Sequence, residues 1–438
     1  MSALSPAATP SKENDNEVSF LLDEIFFSRT DPRGVIVNGN GIFERVSGYE
    51  MSELIGAPHK VVRHAEMPKG VFWLFWNRLG AGSPIGAYVK NRSKDGGYYW
   101  VFAIATPLED GFISVRIKPT SPLLAKVIDL YAEMLERERS LDCSPEESAQ
   151  HLLGKLGEMG FPDYESFMAH ALAEESKARN ASLGRAPNAN LANYSDMGQC
   201  LDTILKLGLE IQQGFNRIQT SPLNMRIKSV RMGDIAAPLT AVLASFDTLN
   251  DKIRASINGF LDCSETARKN VNDGLFVNCA NDIQKETINR FRSDDSPGEH
   301  EAIVYEAEQL HNLNVQYANK IRDALHRIQI ETKRFFDMAV LLKRTLSGLS
   351  VTSILCQIES ARLDDPSGGI DEVISQLRRF QELTSDCLAK IEDENDKIKC
   401  DVEKISLVIG EEPIEPEAFE FSKPPVTRER RSRQRAEA

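Results

Sequence analysis

The residues best suited to ligate a metal or to catalyse are seven histidines and seven cysteines, and their spacing gives neither chemistry a site. The histidines (His59, His64, His151, His170, His300, His311 and His326) form no HExxH and no paired metal spacing. The cysteines, at 143, 200, 263, 279, 356, 387 and 400, include no CxxC pair. An odd number of scattered thiols suits reduced cysteines in the cytosol better than a disulfide framework. No GxSxG, P-loop or dinucleotide GxGxxG occurs. His311 and His326 lack the glycine-rich ATP boxes that a phosphoacceptor histidine needs. The chain is therefore expected not to be an enzyme. What stands out instead is one dense run, Pro58-His59, Val62-Arg63-His64 and Met67-Pro68, set among strands and aromatic residues.

The bulk numbers agree with a binding or signalling role. The chain has 438 residues, 41% hydrophobic and 27% charged, which suits two or three domains with buried cores. A net charge of −13 argues against a nucleic-acid partner, because neutralising phosphates requires a basic surface. No window approaches the roughly 18 uninterrupted apolar residues of a membrane span. The start, MSALSPAATPSKENDNE, lacks the basic and apolar regions of a signal peptide. These features predict a cytoplasmic protein.

Composition divides the chain near residue 120. All three tryptophans (Trp73, Trp76, Trp100) and twelve of the 27 glycines lie before it. Residues 26–28, 34–37, 87–89, 98–106 and 112–117 read as strands, with Asp95-Gly96 as a hairpin turn. Short helical patterns, including Ser52-Glu53-Leu54 and Val71 to Leu79, fall between the second and third strands. Two strands, helices and three strands resemble the order of a PAS fold, which implies an α+β domain with a five-stranded antiparallel sheet, flanking helices and a ligand pocket. From Leu124 the apolar residues take helical spacing (Val127, Leu130, Met134), and an all-α helical bundle or coiled coil follows. The expected organisation is a disordered start at 1–18, a sensor domain at 19–120 and a helical linker region at 121–190. Helical hairpins at 191–290 and 300–410 and a disordered tail at 411–438 complete it.

The stretch from Phe26 to Lys118 resembles the PAS domain of aerotaxis receptors. The resemblance is carried by Phe27-Ser28-Arg29-Thr30-Asp31, Val46-Ser47-Gly48-Tyr49 and Glu53 to His59. It continues through Val62-Arg63-His64, Met67-Pro68, Trp76, Val89 to Arg92 and Tyr99-Trp100-Val101. The resemblance implies a noncovalently bound FAD whose redox state is the signal, positioned and tuned by the protein. Arg63, His64 and Glu66 occupy the motif that supports flavin binding in that family. Asn40 and Asn91 hold its pocket-facing amide positions, and Trp76 belongs to the matched segment. Two positions depart from the pattern: Ile85 stands where the family has a tryptophan, and the RHPD motif reads Arg63-His64-Ala65-Glu66. Loss of the aromatic stacking partner costs about 1 kcal/mol. The residues alone leave other readings open: Arg63 and His64 as a helix cap or surface ion pair, Trp76 as ordinary core, a haem on His59 or His64, or an empty pocket.

The helical part contains an internal repeat. Leu223-Asn224-Met225-Arg226-Ile227-Lys228-Ser229-Val230-Arg231 aligns with Ile354-Leu355-Cys356-Gln357-Ile358-Glu359-Ser360-Ala361-Arg362 at an offset of 354 − 223 = 131. The same offset pairs Leu239 with Ile370, Val242 with Val373, Phe246 with Leu377 and Leu249 with Phe380. Each copy resembles the hairpin tip of methyl-accepting chemotaxis receptors, in a divergent form. The tip candidates are Leu223, Asn224, Ile227 and Arg231 in the first copy and Ile358, Glu359 and Arg362 in the second. That resemblance implies contact with the chemotaxis kinase, its coupling protein or other receptors, and homodimerisation. Two hairpins in one chain can instead bury their apolar stripes against each other. The expected function is a cytoplasmic redox or oxygen sensor that relays flavin state to a chemoreceptor-like bundle; the alternative is a ligand-free PAS scaffold or interaction module.

Overall fold

The computed structural model describes residues 16–219, 237–293, 300–362 and 369–411. Strands β1 (Phe26–Thr30), β2 (Ile36–Gly39), β3 (Ile85–Arg92), β4 (Tyr98–Leu108) and β5 (Gly111–Ile117) form one antiparallel sheet in the order β2-β1-β5-β4-β3. Between β2 and β3 lie helices α1 (Gly41–Ser47), α2 (Met51–Leu54) and α3 (Lys69–Gly80), with a 3-10 turn at His59–Val62. Local chemistry sets these boundaries. The Asn40 side chain accepts the Phe43 N–H to start α1, and Gly48, at φ 70°, ends it in the left-handed region.

After β5 the chain is helical: α4 (Leu123–Leu141), α5 (Pro145–Glu158), α6 (Tyr164–Ser182) and α7 (Ala189–Ile218). Three long helices follow, α8 (Ala237–Ser293), α9 (His300–Arg362) and α10 (Gly369–Glu411). Helix α4 gives way to α5 through a left-handed Asp142 followed by a capping box, Ser144 with Glu147, and Pro145 in the first helical turn. The break at Arg185 to Asn188 ends in an Asn188 cap.

Helices α7 to α10 form an intramolecular bundle in which α7 packs on α8 and α10, and α9 on α8 and α10. The apolar residues Leu388, Ile391, Ile398, Val402 and Ile405 of the last helix lie at near-heptad spacing and are all buried in it. Of the paired positions described in both copies, Phe246 and Leu377 are each fully buried, whereas Leu249 is half-buried and its counterpart Phe380 buried. With 57 and 63 residues, α8 and α9 are about 85 and 95 Å long. Both run past the bundle to reach the sheet. Helix α9 also qualifies the sequence reading on membranes. An 18-residue window within Tyr305–Leu355 has mean hydropathy 1.3, apolar enough by length and composition to cross a bilayer. Its apolar residues divide between a buried face (Phe335, Ala339, Leu342, Leu346, Leu349) and an exposed one (Phe336, Leu341, Val351).

Successive side chains of a strand point to opposite faces, and here both faces of the sheet are covered. On the outer face, Trp100 packs on Tyr131 of α4 and Tyr88 on Phe167 of α6. The Thr106 and Tyr317 hydroxyls meet at 2.6 Å, joining β4 to α9. Arg29 donates to Glu306 of α9 at 2.8 Å. Glu175 of α6, fully buried, accepts from the Tyr88 hydroxyl, the Thr120 and Ser121 N–H groups and the Ser121 hydroxyl, tying β3 to the chain just after β5.

Helix α3 is held from behind by α4 and α5. Glu138 accepts from the Lys69 N–H and the Ser148 hydroxyl. Gly70 lies so close to α5 that a Cβ would sit 2.5 Å from the Ala149 nitrogen, which is backbone and cannot rotate away. Gly70→Ala is expected to wedge α3 from α5 and cost about 1–3 kcal/mol, the usual range for overpacking. Chemical denaturation of the full chain checks it; an unchanged midpoint would show that the contact yields without strain.

Candidate functional site

The inner face of the sheet and α3 enclose a cavity of about 300 Å³. This is at the lower end of the range for small-molecule sites. Space exists there because the inward positions of the central strands are small: Ala103 and Ala105 on β4, Ser114 on β5, Ser28 and Thr30 on β1. The opposite wall is aromatic. Phe72, Phe75 and Trp76 come from α3, spaced as one helical face, and Phe112 from β5. Trp76 meets Phe75 and Phe112 edge-on at 5.9 and 5.6 Å. Gly34, at φ 76°, faces the indole; a Cβ there would lie 3.0 Å from it.

Polar groups gather at the floor and the mouth. Asn91 and Arg116 are buried. Arg116 Nη2 donates to Ser28 Oγ at 2.9 Å and to His59 Nε2 at 2.6 Å. An arginine donates only, so His59 must accept at Nε2 and carry its proton on Nδ1. Burial, reinforced by the Arg116 and Arg63 charges, pushes the His59 pKa down to about 3. Burial also lowers Arg116 to about 10, which leaves it charged at neutral pH. At the mouth, the Arg63 guanidinium stacks 3.4 Å from the centre of the Phe72 ring, with Lys60 and Arg33 beside it. No carboxylate lines the cavity among the described residues.

Three of the six expected cofactor residues meet here. Arg63, Trp76 and Asn91 line the cavity, and the backbones of Arg63 and Asn91 form an antiparallel bridge that lashes the loop before α3 to β3. Asn40, His64 and Glu66 do not line it. Asn40 is spent locally: its oxygen accepts from Phe27 N and Phe43 N, and its amide donates to Ile25 O. His64 is buried with Nδ1 accepting the Glu66 N–H and its ring edge toward Tyr98. Glu66 is half exposed and pairs with Lys90 at 2.5 Å; that hydrogen bond lowers its pKa. The motif therefore shapes the rim more than it touches the interior. Ile85, at the start of β3, is buried outside the lining, and the aromatic surface comes from α3 and Phe112.

Arg116, Phe72, Phe75 and Phe112 were missed in the sequence. The alternation Phe112, Ser114, Arg116 against Ile113, Val115, Ile117 was a usable signal for the first and last of these. Of the tip candidates, Leu223, Asn224, Ile227 and Arg231 lie outside the described residues. Ile358 is 46% exposed near the end of α9, away from the bundle core. Glu359 and Arg362 belong to the same helix, and their side chains lie outside the described residues.

Residues 36–115 match the PAS fold family. The chain is 41% identical over 114 residues to the aerotaxis receptor of Escherichia coli, covering 25% of this chain and 22% of that protein. It is 26% identical over 118 residues to the bacterioopsin transcriptional activator of Halobacterium salinarum, covering 26% and 18%. A solved PAS domain from Colwellia psychrerythraea is 20% identical, with 22% of this chain and 86% of that one covered and a TM-score of 0.20. The chain spans about a fifth of the length of the curated relatives it matches. The segment from β1 to β5 is a PAS domain similar to that of an aerotaxis receptor, and a largely helical region follows it.

A histidine held neutral by burial links folding to pH. Unfolded, the group binds a proton below its ordinary value of 6.5, whereas folded it does so only near 3. Between these values the unfolded chain carries the extra proton, so stability falls as pH drops through that window. His59→Gln should flatten the slope of unfolding free energy against pH by close to one proton there. Denaturation midpoints across the acid range test this, and parallel wild-type and variant curves would contradict it.

Proposed function

We propose that this chain is a non-enzymatic, cytoplasmic sensor of redox state or oxygen. A flavin, FAD by likeness to the aerotaxis receptor, is held in the PAS cavity and biases the packing of the helical bundle. The observation that carries the reading is the position of the strands. Ser28 and Thr30 line the cavity while Arg29 between them grips Glu306 of α9, so one residue's thickness separates ligand from bundle. The cavity suits the ring system of a flavin: aromatic walls in Phe75, Trp76 and Phe112, an amide in Asn91 and a cation in Arg116. A bound flavin supplies a ring that accepts and releases electrons, with hydrogen-bonding edges that differ between the two states. The protein's part is to orient that ring, exclude water and pass strain through β1 and β5. Bundles have discrete packings, so a small shift at the sheet selects between them.

Haem receives less support. His59 Nε2 is taken by Arg116 and His64 Nδ1 by a backbone N–H. Output through the chemotaxis kinase and its coupling protein, and self-association, rest on resemblance alone. Co-precipitation of the full chain with those two proteins tests the former.

Purified protein should absorb in the near-ultraviolet and blue as oxidised flavin does. Ala105→Phe, which fills the cavity with side chain, should abolish the colour and leave the melting temperature unchanged or raised. A wild-type protein that stays colourless after incubation with FAD would sink the cofactor reading and favour the ligand-free scaffold. For the relay, dithionite reduction should change hydrogen exchange in the first part of α9, and Arg29→Gln should suppress that change. An identical exchange difference in both proteins would exclude this route.

A further inference from the structure

A further cavity, of about 270 Å³, lies where the end of α6 and the start of α7 meet the last turns of α8. It is nearly as large as the PAS cavity but differs in chemistry. Its walls are polar: Arg179, Arg185 and Lys285 against Asp282 and Glu286, together with the amides of Asn180 and Asn289. The lining charges leave an excess of 3 − 2 = 1 positive, in a chain whose net charge is −13. That excess is concentrated on one group. Arg179 bonds to Glu286 at 2.6 and 2.8 Å and Arg185 at 2.8 and 3.0 Å, so one carboxylate serves two guanidiniums. Arg290 approaches Glu286 as well, at 3.6 Å, and is matched by Asp23. Asp282 accepts from Asn188, the cap of α7. Arg179 is 3% exposed and also holds the Leu22 and Asp23 carbonyls, which leaves it little capacity. Arg185 spends one N–H of each terminal nitrogen on Glu286 and keeps the rest, and its side chain is 41% exposed. The N-terminus of α7, a helix of 30 residues, borders the same cavity at Asn188 and adds to the positive field.

We propose that this cavity binds a small hydroxylated anion, a carboxylate or a phosphate monoester, with its charged group on Arg185 and its hydroxyls on the Asn180 and Asn289 amides. A guanidinium fork suits the paired oxygens of either anion, and amides supply both the donors and the acceptors that hydroxyls need. The partial exposure of Arg185 makes the binding weaken as salt rises. The site is separate from the PAS cavity and does not depend on what that cavity holds. It lies on the joint between sensor domain and bundle, where Arg179 ties the segment before β1 to α6 and α8. An occupant therefore acts on the same bundle as the PAS ligand, from a second place.

Calorimetry of the full-length chain at fixed ionic strength tests this, with glycerate and glycerol 3-phosphate as probes and glycerol as the uncharged control. At least one anion should saturate the protein at about millimolar concentration or below, and glycerol should bind at least about tenfold more weakly. The tighter of the two anions identifies the charged group as carboxylate or phosphate. Arg185→Gln should weaken that binding about tenfold, and Arg185→Lys should weaken it less. Ala105→Phe, which fills the PAS cavity, should leave it unchanged. Arg185 stands in an exposed connection, so its substitution is expected to spare the fold. Should the melting temperature of that variant fall, Asn289→Leu, at an exposed position of α8, gives the same reading. Saturation by neither anion, glycerol binding as tightly as they do, equal affinity in wild type and variant, or loss of binding with Ala105→Phe would overturn the site.

Discussion

The structure turns on the double burial of the five-stranded sheet. An antiparallel sheet commonly covers one face and leaves the other in water, but here the inner face closes a ligand-sized cavity and the outer face is roofed by α4, α6, α8 and α9. Strand geometry then allots alternate residues to two tasks. Along β1 the order Ser28, Arg29, Thr30 runs cavity, bundle, cavity. Along β4, Ala103 and Ala105 border the cavity, while Phe102 packs on Tyr88 and Thr106 bonds to Tyr317. No linker intervenes. A shift of either face reaches the other through a single backbone layer.

Polar contacts across this interface join named pairs of groups, some buried and some at its edge. Glu175 is surrounded by donors. Glu286 faces Arg179, Arg185 and, at 3.6 Å, Arg290; although burial pushes its pKa up, the hydrogen bonds and charges of Arg179 and Arg185 outweigh this and hold it at about 2. Arg179 also donates to the Leu22 and Asp23 carbonyls, fastening the segment before β1 to α6 and α8. Pairs of this kind contribute modestly to net stability, but breaking one leaves a charge stranded. They fix the orientation of the sensor domain on the helices more than they strengthen it. Arg116 differs, since among the described residues no carboxylate lines the cavity beside it.

The bundle solves a related problem of exposed apolar surface. A lone helical hairpin presents a stripe that a second hairpin must cover. Two copies related by 131 residues supply both within one chain, with Phe246 and Leu377 at equivalent core positions. The duplication therefore accounts for a bundle that closes on itself. It does not bury everything: Val351, Ile354, Leu355 and Ile358 are exposed toward the end of α9.

Much of this was legible in the order of residues. Strand alternation, glycine and proline punctuation and the apolar spacing of the helices are local signals, and local signals survive in a single sequence. So did the PAS resemblance and the repeat, because both rest on residue identity at fixed spacing. The cavity was legible only in part. Arg63, Trp76 and Asn91 were found through the resemblance, but Asn40, His64 and Glu66, named by the same resemblance, serve a cap, backbone contacts and a surface pair. Which side of a strand faces a void, and which arginine lacks a carboxylate, depends on what distant segments bring to the same place. Arg116 reads in the sequence as one more alternating residue of β5. Only folding, by setting α3, His59 and an anion-free wall around it, makes it the buried charge of the site.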